Sequence, residues 1–194
     1  MDTYSSELTL LGPCTLSYPK LATFEVNEKG NERFGATLIV KKGSAAHKKA
    51  LQLVKDVTEK NAWTGKAPES PIKEGDERVG DDGEVPEGYA GCVYFNANFT
   101  RKAGSEAMPQ LCNADRSTLP PGSPRWYAGA VVNVGIQAWP FFKQDKMVNR
   151  VCFGLEALQF VADGPRLASR QQVDVKTFFS DVSEGETGEE DPLG

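Results

Sequence analysis

The sequence predicts a mainly β domain of five strands with one long helix, followed by a disordered acidic tail. Three observations carry this expectation. Stretches of alternating apolar and polar residues recur along the chain, the mark of half-buried strands. One long segment shifts instead to the helical repeat. The 19 glycines and 12 prolines are a little above average use, as loop-rich β proteins require. At 194 residues and 39% hydrophobic content, a single domain with appendages is expected over two domains.

The elements follow in order. PCTLSYPKLATFE (13–25) is β-prone, and Pro19 interrupts it as in an edge or bulged strand, because proline donates no ladder hydrogen bond. NEKGNE (27–32) is a turn. RFGATLIVKK (33–42) then sets Phe34, Ala36, Leu38 and Val40 on one face. After Gly43 a helix is expected, with Ser44 as N-cap and Ala50, Leu53, Val54 and Val57 as its buried stripe. Lys48, Lys49, Lys55 and Lys60 lie largely outside that stripe, and His47 on the first turn should face solvent.

Residues 64–88 read as a long irregular connection. YAGCVYFNANFT (89–100) returns to strand, with Val93, Phe95, Ala97 and Phe99 opposite Tyr94, Asn96 and Asn98. A second long loop leads to RWYAGAVVNVGIQAW (125–139), where Gly129 and Gly135 remove side chains as a sheet bending into a barrel requires. The loop PFFKQDKMVN precedes a last strand, RVCFGLEALQFVAD (150–163). The order β-β-α-β-β-β with uneven loops describes a small, partly open barrel of the OB kind, its helix between strands two and three. The domain is assigned to residues 1–180 and the tail to 181–194.

Charge is divided unevenly. The net of −5 contains six carboxylates and no base in residues 181–194, a stretch too polar to offset the entropy of ordering it. EGDERVGDDGEVPE (74–87) holds seven carboxylates and one arginine. Outside these two blocks stand 21 basic and 14 acidic groups, so the body is mildly basic. No apolar run reaches the length of a membrane span and the N-terminus lacks a secretory pattern, so a soluble, intracellular protein is expected.

Catalytic chemistry finds little support. The single histidine has no nucleophile motif beside it, and no GxSxG, HExxH or phosphate-binding loop occurs. Cys14, Cys92, Cys112 and Cys152 are scattered without CxxC spacing, which favours ordinary buried thiols over a zinc site with His47 or a disulfide framework. A calcium loop centred on Gly83 would put Arg78 and Gly80 at liganding positions, so the acidic block fails that pattern.

Single-stranded nucleic acid is a better fit, since it needs cations for phosphates and exposed rings for bases. WPFFKQDKMVNR, expected to join strands four and five, places Trp139, Phe141 and Phe142 beside Lys143, Lys146 and Arg150. Adjacent phenylalanines in extended chain point opposite ways, so at least one is expected to be exposed; the competing expectation is that one ring plugs the barrel end. Tyr94 on the third strand is a further stacking candidate. Lys41, Lys42, Arg101 and Lys102 close strands two and three and are candidates to flank one groove, or to protect strand edges. Arg125 and Tyr127 complete the set, whereas Trp63 is expected to pack.

FGLEALQFVADGPRL (153–167), with WYAGAVVNV upstream, KEGDE in the acidic loop and YAGCVYFNA, resembles a family of bacteriophage single-stranded DNA-binding proteins related to the T7-type replication protein. The resemblance spans most of residues 13–170. It implies an OB-fold that coats exposed strands during phage DNA replication and recombination in the cytoplasm of the infected host, without an active site or required cofactor. It also implies that the tail (Glu184, Glu186, Glu189, Glu190, Asp191 and Leu193) recruits replication or recombination proteins and competes with DNA for the basic groove. The chain departs from the T7-type pattern in ending DPLG, with Leu193 where a terminal aromatic would stand. The competing expectation is a barrel that binds protein, with acidic segments serving solubility.

Overall fold

The computed structural model describes residues 3–80, 83–143 and 148–167, except the side chain of Lys143. The elements are β1 (Thr9–Val26), β2 (Asn31–Lys41), α1 (Ala45–Lys60), β3 (Lys73–Glu74), β4 (Cys92–Lys102), β5 (Gln110–Cys112), β6 (Val131–Lys143) and β7 (Val148–Ala162). They form one seven-stranded sheet in the order β3-β4-β2-β1-β6-β7-β5. An additional parallel pairing of β4 with β7 links Ala97 to Phe153 and Asn98 to Gly154. Hydrogen bonding among the five long strands therefore runs β1-β2-β4-β7-β6 and returns to β1.

The mainly β expectation with one helix holds, but the strand count does not. β3 arises inside the supposed irregular connection, where Lys73 and Glu74 pair with Tyr94 and Val93 of β4. β5 arises inside the second long loop, where Gln110–Cys112 pair in parallel with Ala157–Gln159. Both are tertiary pairings of short segments, and local alternation over two or three residues carries no signal for them.

β1 is no edge strand, because it pairs with both β2 and β6. Pro19 is accommodated by a bulge: the register shifts between Ser17 and Lys20, and Tyr18 takes a left-handed φ of 43°. The strand predicted from Arg125 begins at Val131, since residues 125–130 fold into turns in which Gly129 has φ 113°. A Cβ at Gly129 would lie 1.9 Å from the Pro165 carbonyl oxygen, so only glycine lets the chain cross there. Conversely, most of the predicted loop 140–149 is strand. Pairs continue from Trp139↔Cys152 through Phe141↔Arg150 to Lys143↔Val148, giving a long β6–β7 hairpin.

α1 forms as expected. Ser44 Oγ accepts from the His47 amide at 3.2 Å, and Ala46, Ala50, Leu53 and Val57 are buried against β1 and β6. The His47 ring is only half-buried, its Nδ1 accepting from the Gly43 amide at 2.9 Å. Phe95 and Phe153 meet edge to face at 4.9 Å inside the sheet, among Leu16, Leu38, Val93, Val132 and Ile136. All four cysteines are free, and burial pushes the Cys14 thiol up to about 12. Among the described residues no three His, Cys, Asp or Glu side chains gather as metal ligands, and no helix is long and apolar enough to cross a membrane.

Candidate nucleic-acid interface

Alternation on β2 and β4 sends Phe34, Ala36, Leu38 and Val40 inward against Phe99, Ala97, Phe95 and Val93. The intervening residues face outward, which places Arg33, Gly35 and Thr37 beside Thr100, Asn98 and Asn96. Between them lies a groove of about 300 Å³, also lined by Tyr18, Lys20 and Arg78. Its floor is polar and fixed. Thr37 Oγ1 donates to Asn96 Oδ1 at 2.7 Å, and Arg33 Nε donates to Asn98 Oδ1 at 3.1 Å.

The floor is also low. Asn98 has Gly35 as its partner on β2 and Gly154 as its partner on β7, so neither neighbour raises a side chain beside it. A Cβ at Gly35 would stand 2.6 Å from Asn98 Oδ1 and 2.7 Å from the Ala97 carbonyl oxygen. Glycine there allows the Asn98 amide to lie over β2 towards Arg33.

Beyond Gly154 the outward residues of β6 and β7 continue the surface. Trp139 is 38% exposed and meets Phe141 at 6.1 Å, while the Arg150 guanidinium carbon lies 5.2 Å from the Phe141 centroid. Burial raises the pKa of the Cys152 thiol, and the positive charges of Arg150 and Arg33 pull it back.

The opposite end is a tyrosine cluster. Arg78, in the loop after β3, places its guanidinium carbon 4.6 Å from the Tyr89 centroid, 5.0 Å from Tyr94 and 5.4 Å from Tyr18. Tyr89 is buried, donates to Ser17 Oγ at 3.1 Å and meets Tyr94 edge-on at 5.2 Å. Tyr18 is 49% exposed at the lip.

The family model of the single-stranded DNA-binding protein of Enterobacter phage Enc34 matches residues 9–189. The chain belongs to this family. Comparison with curated proteins gives no match. Among solved structures, the single-stranded DNA-binding protein from bacteriophage Enc34 in complex with ssDNA aligns at a TM-score of 0.63 and 23% identity, over 82% of this chain and 88% of that one. Its C-terminal truncation aligns at 0.63 and 21%, over 81% and 87%. The bacteriophage T7 single-stranded DNA-binding protein gp2.5 shares only 8% identity, yet aligns at 0.60 over 91% and 97%. The Enc34 and T7 proteins share this chain's fold.

Within this member of the Enc34 family, Tyr94, Trp139, Phe141 and Arg150 fall on the one outer surface. Phe142 points the other way, stacking at 4.8 Å on Trp63, whose indole donates to the Thr58 carbonyl at 2.8 Å. The adjacent phenylalanines therefore split, one to the groove and one to the helix end. Arg101 is held by Glu32 at 2.5 Å, by the Ala107 carbonyl at 3.1 Å and over Phe34 at 4.8 Å. Lys42 pairs with Glu74 at 2.6 Å, which raises its pKa, while Lys41 and Lys102 are exposed at strand ends. Arg125 donates to Asn113 Oδ1 at 2.7 Å and lies over Phe160, and the Tyr127 hydroxyl bonds with Asp163 and Gly164. Those partners flank the C-terminal half of β7, apart from the groove. Lys146 and the tail residues Glu184, Glu186, Glu189, Glu190, Asp191 and Leu193 lie outside the described residues, as does the Lys143 side chain.

Sequence reasoning missed Arg33, Arg78, Tyr18, Lys20 and the two floor glycines. Arg33 had a signal: it precedes an inward Phe34 in a period-two run and so must face out. Arg78 had another, as the single cation in a block of seven carboxylates.

Proposed function

We propose that the chain binds single-stranded DNA without catalysis, across the outer face of a five-stranded barrel of the OB kind. Bases stack on Trp139, Phe141, Tyr94 and Tyr18, while Arg33 and Arg150 neutralise phosphates. The observation that carries this reading is the groove lined by Arg33 over a floor kept low by Gly35, continuous past Gly154 with an exposed Trp139 and with Arg150 over Phe141. Cations at a groove with open rings suit a strand of any sequence, because every base has a π-face and every nucleotide a phosphate. Membership of the Enc34 family and the shared fold of a protein solved with ssDNA support it. The setting is phage DNA replication or recombination in the infected host.

The tail, with six carboxylates on a leash, presents a high effective concentration of anion to this cationic surface. It competes with DNA and, once displaced, is free to recruit replication or recombination proteins. Titrating the protein with oligo-dT at low salt should quench tryptophan fluorescence, and added salt should weaken binding steeply. Removing residues 181–194 should tighten binding at low salt and matter less as salt rises. No response to oligo-dT at low salt would sink DNA binding; unchanged affinity on truncation would sink tail competition alone.

A further inference from the structure

The stretch of groove above Gly154 carries a set of hydrogen-bonding groups that phosphate neutralisation and stacking do not explain. A Cβ at Gly154 would meet Glu156 Oε1 at 3.5 Å, the Gln137 carbonyl oxygen at 3.6 Å and Trp139 Nε1 at 3.8 Å. The glycine thus opens a small bay with a carboxylate and an indole N–H at its edges. Asn98, its partner on β4, stands across the strand pair from the bay, with its amide leaning over Gly35. Arginine has donors only, so the Arg33 contact fixes Asn98 with Oδ1 towards Arg33 and its NH₂ as the remaining group. Among the described residues neither the Asn98 NH₂, the Trp139 Nε1–H nor the Glu156 carboxylate has a hydrogen-bond partner, so all three are available to a ligand. A carboxylate in a surface built to attract phosphate is costly unless it accepts a proton donor from the ligand.

We infer that this bay is a nucleobase subsite that favours thymine. The inference rests on the single-stranded DNA reading above. The bay offers the Trp139 indole N–H as donor and Glu156 as acceptor, and the Asn98 amide across the strand pair supplies a second donor. The Watson–Crick edge of thymine offers the complement: O2 and O4 accept and N3–H donates. Cytosine presents a lone pair at N3, which meets the Glu156 carboxylate as acceptor against acceptor. Adenine presents N1 likewise. Guanine keeps N1–H but replaces one acceptor by its amino group, which opposes an Asn98 or Trp139 donor. Mismatched edges leave buried polar groups unpaired, and that asymmetry, more than any gained contact, sets the discrimination.

The test compares affinities of the full chain for oligo-dT, oligo-dC and oligo-dT bearing N3-methylthymine, all of one length and at one salt concentration. Wild type should bind oligo-dT about tenfold more tightly than oligo-dC, at the lower end of what a matched polar edge provides. N3-methylation should remove that advantage without abolishing binding. Glu156→Gln supplies a donor as well as an acceptor, so it should improve oligo-dC binding and shrink the ratio to about twofold. Gly154→Ala, which puts a methyl into the bay where only ordinary contacts would be made, should level all three ligands while the melting temperature stays near wild type. Tight binding with equal affinity for the three ligands in wild type, or a ratio untouched by both substitutions, overturns the subsite and leaves the DNA reading intact. Failure to bind any of the three overturns the DNA reading itself.

Discussion

At one end of the groove, Tyr18, Tyr89 and Tyr94 surround Arg78, four residues drawn from a bulge, a turn, a strand and a loop. At the other, Trp139, Phe141, Cys152 and Arg150 stand on two paired strands, where β6 and β7 fix both spacing and direction. The first end is filled by the protein's own cation, which already covers the ring faces a base would use. The second leaves the Trp139 indole open to solvent, beside a half-buried Phe141 that carries Arg150 over its ring. An open, preorganised surface costs little to occupy, whereas the tyrosine end must first release Arg78 or accept a ligand on top of it. The strand-built end should therefore supply most of the affinity, and the loop-built end should adjust it.

Five variants would break or sharpen that contrast. Removing Arg33 and Arg150 together should have the largest effect, weakening oligo-dT binding on the order of a hundredfold at low salt. The slope of log affinity against log salt should also fall by about 0.7 for each lost phosphate contact. An unchanged slope would mean that neither arginine meets phosphate. Next, Trp139→Ala or Phe141→Ala should each cost about 1–3 kcal/mol of binding, the usual worth of one stacked base. Phe142→Ala, on the opposite face against Trp63, should change stability and leave affinity within about twofold in the same assay. The smallest effect is expected for Arg78→Met, a change of about twofold in affinity and roughly 1 kcal/mol of stability from the lost cation–π contacts. Should Arg78→Met weaken binding more than Trp139→Ala, the ranking of the two ends is reversed.

The same contrast explains what the sequence disclosed. Val93-Tyr94-Phe95-Asn96-Ala97-Asn98 alternates over a full strand, so its inward and outward faces are readable without any partner. The Ser44 cap and the stripe from Ala50 to Val57 are equally local. Phe141 and Phe142 had to diverge, and extended backbone alone required it. By contrast, Arg78 reaches Tyr18 across sixty positions of sequence, in a block whose composition argues only for solvation. β3 and β5 exist because a neighbouring strand offers free backbone groups, which no window of two or three residues announces. Gly154 was visible within Phe-Gly-Leu as part of a resemblance, but its use as a floor depends on Asn98 arriving from β4. The paired basic residues at strand ends divide for a physical reason: Arg101 and Lys42 pair with nearby Glu32 and Glu74, while Lys41 and Lys102 stay exposed.

The ring of strands is sewn shut between β4 and β7 by just two residue pairs, Ala97 with Phe153 and Asn98 with Gly154, against the eleven that join β2 to β4. That seam is the shortest join in the circuit, and it runs directly beneath the surface assigned to the ligand. A polymer lying across it bridges both margins like a splint, so occupancy and closure reinforce each other. The amide protons along this join should exchange with solvent more readily than those between β2 and β4 in the free protein, and slow the most when a strand is bound.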